Sequence, residues 1–196
     1  MYDQTEFRIL EQIYLNPGVH KRELSKRLKL GMPSIDYGLT KISKLLQQKK
    51  TGNQINFFLD YSKEEIAPSL MMVEYSRLER LPAKVRLSVN NFLIELEVKP
   101  IIAIIFGSYA SGTYTKESDI DILLIFQKVE DPKKIENTAK KVSMKTNTLL
   151  NPVYLSYQDF RESFHNSAKE FFKKLKKDKL ILIGIEWWRQ LTYEEA

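Results

Sequence analysis

The chain contains no cysteine, so disulfides and thiolate metal sites are excluded, and a reducing compartment fits. Histidine is nearly absent: His20 and His165 stand alone, and neither has a neighbour at metal-ligand spacing. No apolar run approaches the length of a membrane span. The opening segment, Met1 to Arg8, is polar and charged, which argues against a signal peptide. Together these absences lead to the expectation of a cytoplasmic protein with no membrane partner. Internal repeats and low-complexity tracts are also missing. What remains is 196 residues of ordinary globular composition, enough for one large domain or two small ones.

The charge is uneven. The net value is +6, and residues 1–60 carry ten Lys/Arg against six Asp/Glu, whereas residues 61–160 are balanced. The basic excess therefore sits mainly at the N-terminus, with the other +2 in residues 161–196, and a nucleic-acid partner for the N-terminal part is the first expectation. Phe7, Ile9, Leu10, Ile13 and Tyr14 fall at helical spacing until Asn16-Pro17-Gly18. A second helix is expected from Lys21 to Leu28. After a turn at Leu30-Gly31-Met32-Pro33, Ser34 is expected to cap a third, carrying Ile35, Leu39, Ile42, Leu45 and Leu46. Lys49 to Asn53 reads as a turn and Gln54 to Leu59 as a strand.

Three helices followed by a hairpin resemble a winged helix-turn-helix domain over roughly residues 4–60. That resemblance implies DNA in contact with the third helix, through Ser34, Asp36, Tyr37, Thr40, Lys41 and Lys44, and with a wing at Lys49, Lys50 and Asn53. Arg22, Lys26 and Arg27 are further phosphate-contact candidates, and a homodimer would read a palindromic operator.

Downstream, residues 63–99 read as a helical connector broken at Leu81-Pro82, and Pro100 marks the start of a domain over residues 100–196. The first domain is accordingly placed at residues 1–62. An apolar run, Ile101 to Phe106, leads into Gly107-Ser108-Tyr109-Ala110-Ser111-Gly112, and Ser118-Asp119-Ile120-Asp121 opens a second run, Ile122 to Phe126. Asp119 and Asp121 share one strand face with Cα atoms about 7 Å apart. Two carboxylates so placed suit Mg²⁺, a hard cation that takes oxygen ligands and keeps waters and phosphate oxygens. Gly107 lets the backbone approach a phosphate, and Ser108 offers a hydroxyl and an amide. Ten residues separate Ser108 from Asp119, and that order is more telling than either motif alone.

Gly-Ser, ten residues, then Asp-x-Asp resembles the nucleotidyltransferase superfamily of DNA polymerase beta, and within it the minimal nucleotidyltransferases. The resemblance covers roughly residues 85–185, with Gly112 and Ser118 also at matching places. It implies a small mixed β-sheet with helices on one side, an α+β fold overall, Mg²⁺, and ATP or another nucleoside triphosphate as substrate. Gly107, Ser108 and Ser118 would then meet the nucleotide, and Asp119 and Asp121 would be the catalytic, metal-holding acids. Minimal members include antitoxins that transfer AMP onto a toxin of the HEPN ribonuclease type. Active members usually add a third carboxylate from a later strand, yet Asn151 to Ser156 contains no acid, which leaves three alternatives: slow chemistry, a substitute acid at Asp159 or Glu97, or a domain that only binds. Two functions follow: transfer of a nucleotidyl group to a hydroxyl of a partner, or transcriptional regulation by a DNA-binding protein whose nucleotidyltransferase domain is weak or inactive. After Phe126 come a helix from Asp131-Pro132, a short strand at Val153 to Leu155, a basic helix over Phe160 to Lys177 and a last strand at Leu180 to Ile185. The lysines at 173, 174, 176, 177 and 179 read as a solvated helix face, and Trp187 and Trp188 as core or interface aromatics.

Overall fold

The computed structural model describes residues 2–165 and 170–195. Two compact units divide the chain, Met1–Val73 and Glu74–Ala196.

The first unit begins with α1 (Gln4–Leu15), capped by a reciprocal pair in which Asp3 accepts from the Glu6 amide and Glu6 accepts from the Asp3 amide. Ile9, Leu10 and Ile13 bury its inner face. Next come β1 (Val19–His20) and α2 (Lys21–Leu28), where His20 Nδ1 accepts from the Glu23 amide, so this histidine is a helix cap. The third helix, α3 (Met32–Lys41), differs from expectation at both ends. It starts three residues early, because Gly31 and not Ser34 caps it and Pro33 fits the first turn. It stops at Lys41, and a 3-10 turn, Ser43–Leu45, leads into β2 (Leu46–Thr51). Strand β2 pairs antiparallel with β3 (Gln54–Leu59) around Gly52-Asn53. Lys49 and Lys50 thus lie on a strand and not in the turn expected for them. The three-stranded sheet has the order β1-β3-β2, with β1 antiparallel to β3.

Helix α4 (Ile66–Glu79) crosses the division between the units. The second unit continues with α5 (Ala83–Glu95), for which Pro82 is the N-cap, and then β4 (Ile102–Phe106), α6 (Gly107–Ser111) and β5 (Ile120–Phe126). These are followed by α7 (Pro132–Thr146), β6 (Leu150–Ser156), α8 (Tyr157–Phe164), α9 (Glu170–Lys177), β7 (Leu180–Ile183) and α10 (Ile185–Glu195). The single helix expected over residues 160–177 is broken at His165, and residues 166–169 lie outside the described ones.

The four strands form a mixed sheet in the order β6-β5-β4-β7. β4 is antiparallel to both β5 and β7, and β5 is parallel to β6. Alternation divides the two central strands between two faces. Ala103, Ile105, Ile120, Ile122 and Leu124 join one core with Val85, Val89 and Phe92 of α5 and Ile135, Ala139 and Val142 of α7. Ile102, Ile104, Leu123 and Ile125 point the other way and are fully buried too. α8 contacts β5, and α10 contacts β4, and their Phe160, Phe164 and Trp188 are buried outside the first core. Helices therefore serve both faces, where the resemblance implied one. Strand β6 is three residues longer at its start than expected. Pro152 lies within it, which is tolerated because β6 is an edge strand with a single partner.

Candidate functional site

Strands β4 and β5 pair so that Phe106 stands opposite Asp121. The next residue, Gly107, turns the chain out of the sheet with φ +69°, a left-handed conformation that disfavours any side chain. Its Cα packs against the Asp121 carboxylate: a Cβ built there would lie 2.4 Å from Asp121 Oδ2. The Gly-Ser turn and the second aspartate of the motif are thus brought into contact by the hairpin register. Ser108 follows on α6, half-buried, and its carbonyl accepts from the amide of Thr113 at 3.0 Å. Asp119 stands one residue ahead of β5 and is exposed.

The loop leading to Asp119 is braced from beneath. Tyr109 is buried and stacks on Tyr114 with centroids 4.6 Å apart, and its hydroxyl donates to the Ser118 carbonyl at 3.3 Å. Burial raises the Tyr109 phenol above its ordinary pKa, with Tyr114 and Asp119 adding to the effect. Ser118 Oγ accepts from the Thr115 amide at 2.9 Å, so this hydroxyl closes a turn. Beside Asp119 and Ser118 opens a cavity of about 630 Å³, walled by Tyr114, Lys84, Lys116 and Asn147.

The parallel pairing of β5 with β6 sets Asn151 opposite Asp121, and Asn151 Nδ2 donates to Asp121 Oδ1 at 2.9 Å. Neither acid considered as a substitute reaches this point. Ser156 pairs with Phe126, at the far end of β5, and Asp159 sits beyond it with its carboxylate accepting from Ser156 Oγ at 2.6 Å. Five residues of strand put that end about 17 Å from Asp121. Glu97 pairs with Lys134 at 2.7 Å and lines a separate cavity of about 400 Å³ that includes Phe126. No cluster of three or more His, Asp or Glu forms among the described residues. Asp121, beside a glycine whose missing Cβ leaves room for it, and the exposed Asp119 two residues earlier supply the carboxylate oxygens that suit a hard divalent cation retaining water and phosphate oxygens.

In the first unit, Ser34, Asp36, Tyr37, Thr40 and Lys41 are exposed on α3, Lys44 is exposed on the 3-10 turn, and Lys49 and Lys50 are exposed on β2. Asp36 is engaged by Lys21 at 2.6 Å, and Lys41 Nζ lies 5.3 Å from the centroid of the Tyr37 ring. Sequence reasoning missed Asn151 as a neighbour of Asp121, because Pro152 argued against a strand there. The buried row Ile120, Ile122, Leu124 against Leu150 and Tyr154 was the signal that would have aligned the two strands.

The second unit is an α+β domain with a mixed sheet. A profile of the family described as Polymerase beta, Nucleotidyltransferase matches residues 89–183. Putative protein adenylyltransferase MJ0604 of Methanocaldococcus jannaschii is 37% identical over 71 residues, covering 34% of this chain and 69% of that protein. Putative protein adenylyltransferase MJ0141 of the same organism is 38% identical over 53 residues, covering 26% of this chain and 54% of that protein. The chain belongs to the polymerase beta nucleotidyltransferase family, and it spans about half the length of one of these relatives and about two thirds of the other. A crystal structure of a toxin–antitoxin with AMP-PNP is similar at 19% identity and a TM-score of 0.42, over 58% of this chain and 83% of that one, which is too distant to carry an argument.

Proposed function

We propose that the protein transfers a nucleotidyl group, AMP, from a nucleoside triphosphate to a hydroxyl of a partner protein, and that its first unit is a winged helix that binds DNA. The observation carrying the transferase reading is the contact of Gly107 with Asp121, which joins the two halves of the motif at one point. Family membership and the names of the two relatives, both putative protein adenylyltransferases, support it. In this reading Gly107 and Ser108 receive the triphosphate, and Asp119 and Asp121 hold Mg²⁺. The cation, when bound, supplies charge neutralisation at the phosphates and at the departing pyrophosphate. The acceptor hydroxyl gives up its proton to solvent as its oxygen bonds to the α-phosphorus, the bond from that phosphorus to the α,β-bridging oxygen breaks, and pyrophosphate leaves. Asn151 keeps Asp121 pointed at the turn. A toxin of the HEPN type is the acceptor protein we would test first.

The DNA reading rests on the exposed row Ser34, Tyr37, Thr40, Lys41 and Lys44 together with Lys49 and Lys50 on the hairpin, in the half of the chain that carries the basic excess. A second reading, a DNA-binding regulator with a weak transferase domain, is favoured by Asn151 standing where an acid would complete the carboxylate set. Incubation with labelled ATP and Mg²⁺, with and without a HEPN-type partner, separates the two. Label on protein that disappears in Asp119→Asn and in Asp121→Asn supports transfer. Absence of label alongside Mg²⁺-independent DNA binding sinks the transferase and leaves the regulator.

A further inference from the structure

Two neighbouring segments, β6 and the turn after β4, meet the half-buried Asp121 carboxylate. Oδ1 accepts from Asn151 Nδ2 at 2.9 Å, across the parallel ladder. Oδ2 faces the bare Cα of Gly107, closely enough that no side chain fits between them. One oxygen is therefore hydrogen-bonded from β6, while the other occupies the space that a side chain at Gly107 would take, so the Asn151 amide orients the carboxylate before any ligand arrives. An amide nitrogen is a donor only, carries no charge and does not bind a proton at neutral pH. It can orient Asp121, but it cannot add negative charge to the site. Asp159 and Glu97 both lie toward the Phe126 end of the strand, as shown above.

We propose that Asn151 is a positioning residue that sets the strength of the cation site: it orients Asp121 through Oδ1 and, being an amide in the ladder position facing Asp121, limits the charge there to the two aspartates. This rests on the reading of Asp119 and Asp121 as cation ligands, and does not depend on transfer taking place. Replacing the amide with a carboxylate adds a full negative charge within hydrogen-bonding distance of Asp121. In the cation-free protein that charge is a like-charge pair across adjacent strands, which is destabilising. With a divalent cation present it becomes an additional oxygen ligand, and affinity rises with ligand charge.

The test is a Mn²⁺ titration of the full chain, read by the loss of the free-ion electron paramagnetic resonance signal, in the absence of nucleotide. Asn151→Asp should tighten binding by about tenfold or more. Its melting temperature should fall below wild type in chelator and recover on adding Mn²⁺. Asn151→Ala should weaken binding by roughly tenfold, the size expected when a partner that orients a ligand is lost. Asp121→Asn should weaken it at least as much. If Asn151→Asp does not fold, the alanine variant decides alone. Mn²⁺ affinity equal to wild type in Asn151→Ala, or no tightening in a folded Asn151→Asp, overturns the proposal. Failure of nucleotidyl transfer with these binding results intact would overturn only the transferase reading.

Discussion

Replacing Gly107 by alanine tests the contact on which the site is built, and the structure supplies its own control. Gly107 opens α6 and Gly112 caps its end, with nearly equal φ values of +69° and +75°. A Cβ at Gly112 meets nothing within 4 Å, whereas one at Gly107 meets Asp121 Oδ2 at 2.4 Å and Asp121 Cγ at 3.3 Å. Gly112→Ala should therefore cost only the left-handed backbone term, about 1 kcal/mol. Gly107→Ala carries that same term and must also displace the carboxylate, breaking its hydrogen bond from Asn151. For an exposed, charge-assisted bond that adds about 1 kcal/mol. The assay is urea unfolding followed by tryptophan fluorescence, since Trp187 and Trp188 are the only tryptophans and both lie in the second unit. The excess over Gly112→Ala should vanish in an Asp121→Ala background, because the remaining Asp121 Cβ lies 3.5 Å away, an ordinary contact. Equal costs for the two glycines, or an excess that persists without the Asp121 carboxylate, would refute the reasoning.

Three further outcomes are expected. Lys179 is almost fully buried, its Nζ donating to the Lys176 carbonyl at 2.8 Å and lying 5.1 Å from the Trp188 ring; burial lowers its pKa to about 8, opposed by Glu74. Because the folded form binds this proton less tightly than the unfolded one, its contribution to stability is present above the unfolded value of 10.5 and lost as pH falls through about 8. Wild type should therefore gain about 2 kcal/mol relative to Lys179→Met between about pH 7.5 and about 9.5, and parallel stability curves would exclude the effect. In a gel-shift assay on the protein's own promoter, Lys41→Glu, Lys44→Glu and Lys49→Glu should each weaken binding and reduce the salt slope by about one, and unchanged binding in all three would remove this face from the DNA reading. Lastly, Tyr109→Phe removes the hydroxyl that braces the Ser118 carbonyl and should cost about 1 kcal/mol by the same urea assay, with no loss if that bond is immaterial.

The strands on either side of the Gly-Ser turn were legible because they are apolar on both faces, and a run such as Ile120 to Phe126 has few alternatives once Gly107 and Gly112 punctuate the chain. The helices of the first unit were legible for a similar reason: Ile9, Leu10 and Ile13 mark one side of α1 and are buried there. Strand β2 was not legible. Leu-Gln-Gln-Lys-Lys-Thr has no apolar alternation, since β2 is a sheet edge with five of its six residues exposed, and its pairing comes from β3 across the turn. Helix α3 was read too long because Ile42 and Leu45 continue a helical spacing and are buried, yet the backbone changes to a 3-10 turn beneath them. At the site, the motif located Gly107, Ser108, Asp119 and Asp121, but the neighbour of Asp121 depends on which residue of a later strand falls opposite it. That information lies in tertiary pairing, and Pro152 obscured it.

The position of Asn151 is decided by the core and not by the site. Parallel pairing sends Leu150 and Tyr154 to the face of Ile120, Ile122 and Leu124, where Leu150 is buried and Tyr154 packs against the same core while its hydroxyl donates to Glu136 at 2.9 Å. Slipping β6 by one residue would turn that row outward and bring Leu150 or Pro152 opposite Asp121. The apolar row therefore holds the register, and Asn151, exposed at the start of the strand, is free to change chemistry without disturbing it. The charge of the cation site and the stability of the sheet are then separable properties, one exposed side chain controlling the first and a buried row controlling the second. If that is right, Asn151→Asp in Mn²⁺ should unfold in urea within about 0.5 kcal/mol of wild type, as expected for a surface substitution with its charge compensated. A loss of several kcal/mol that Mn²⁺ does not relieve would mean that the amide helps to hold the strand itself.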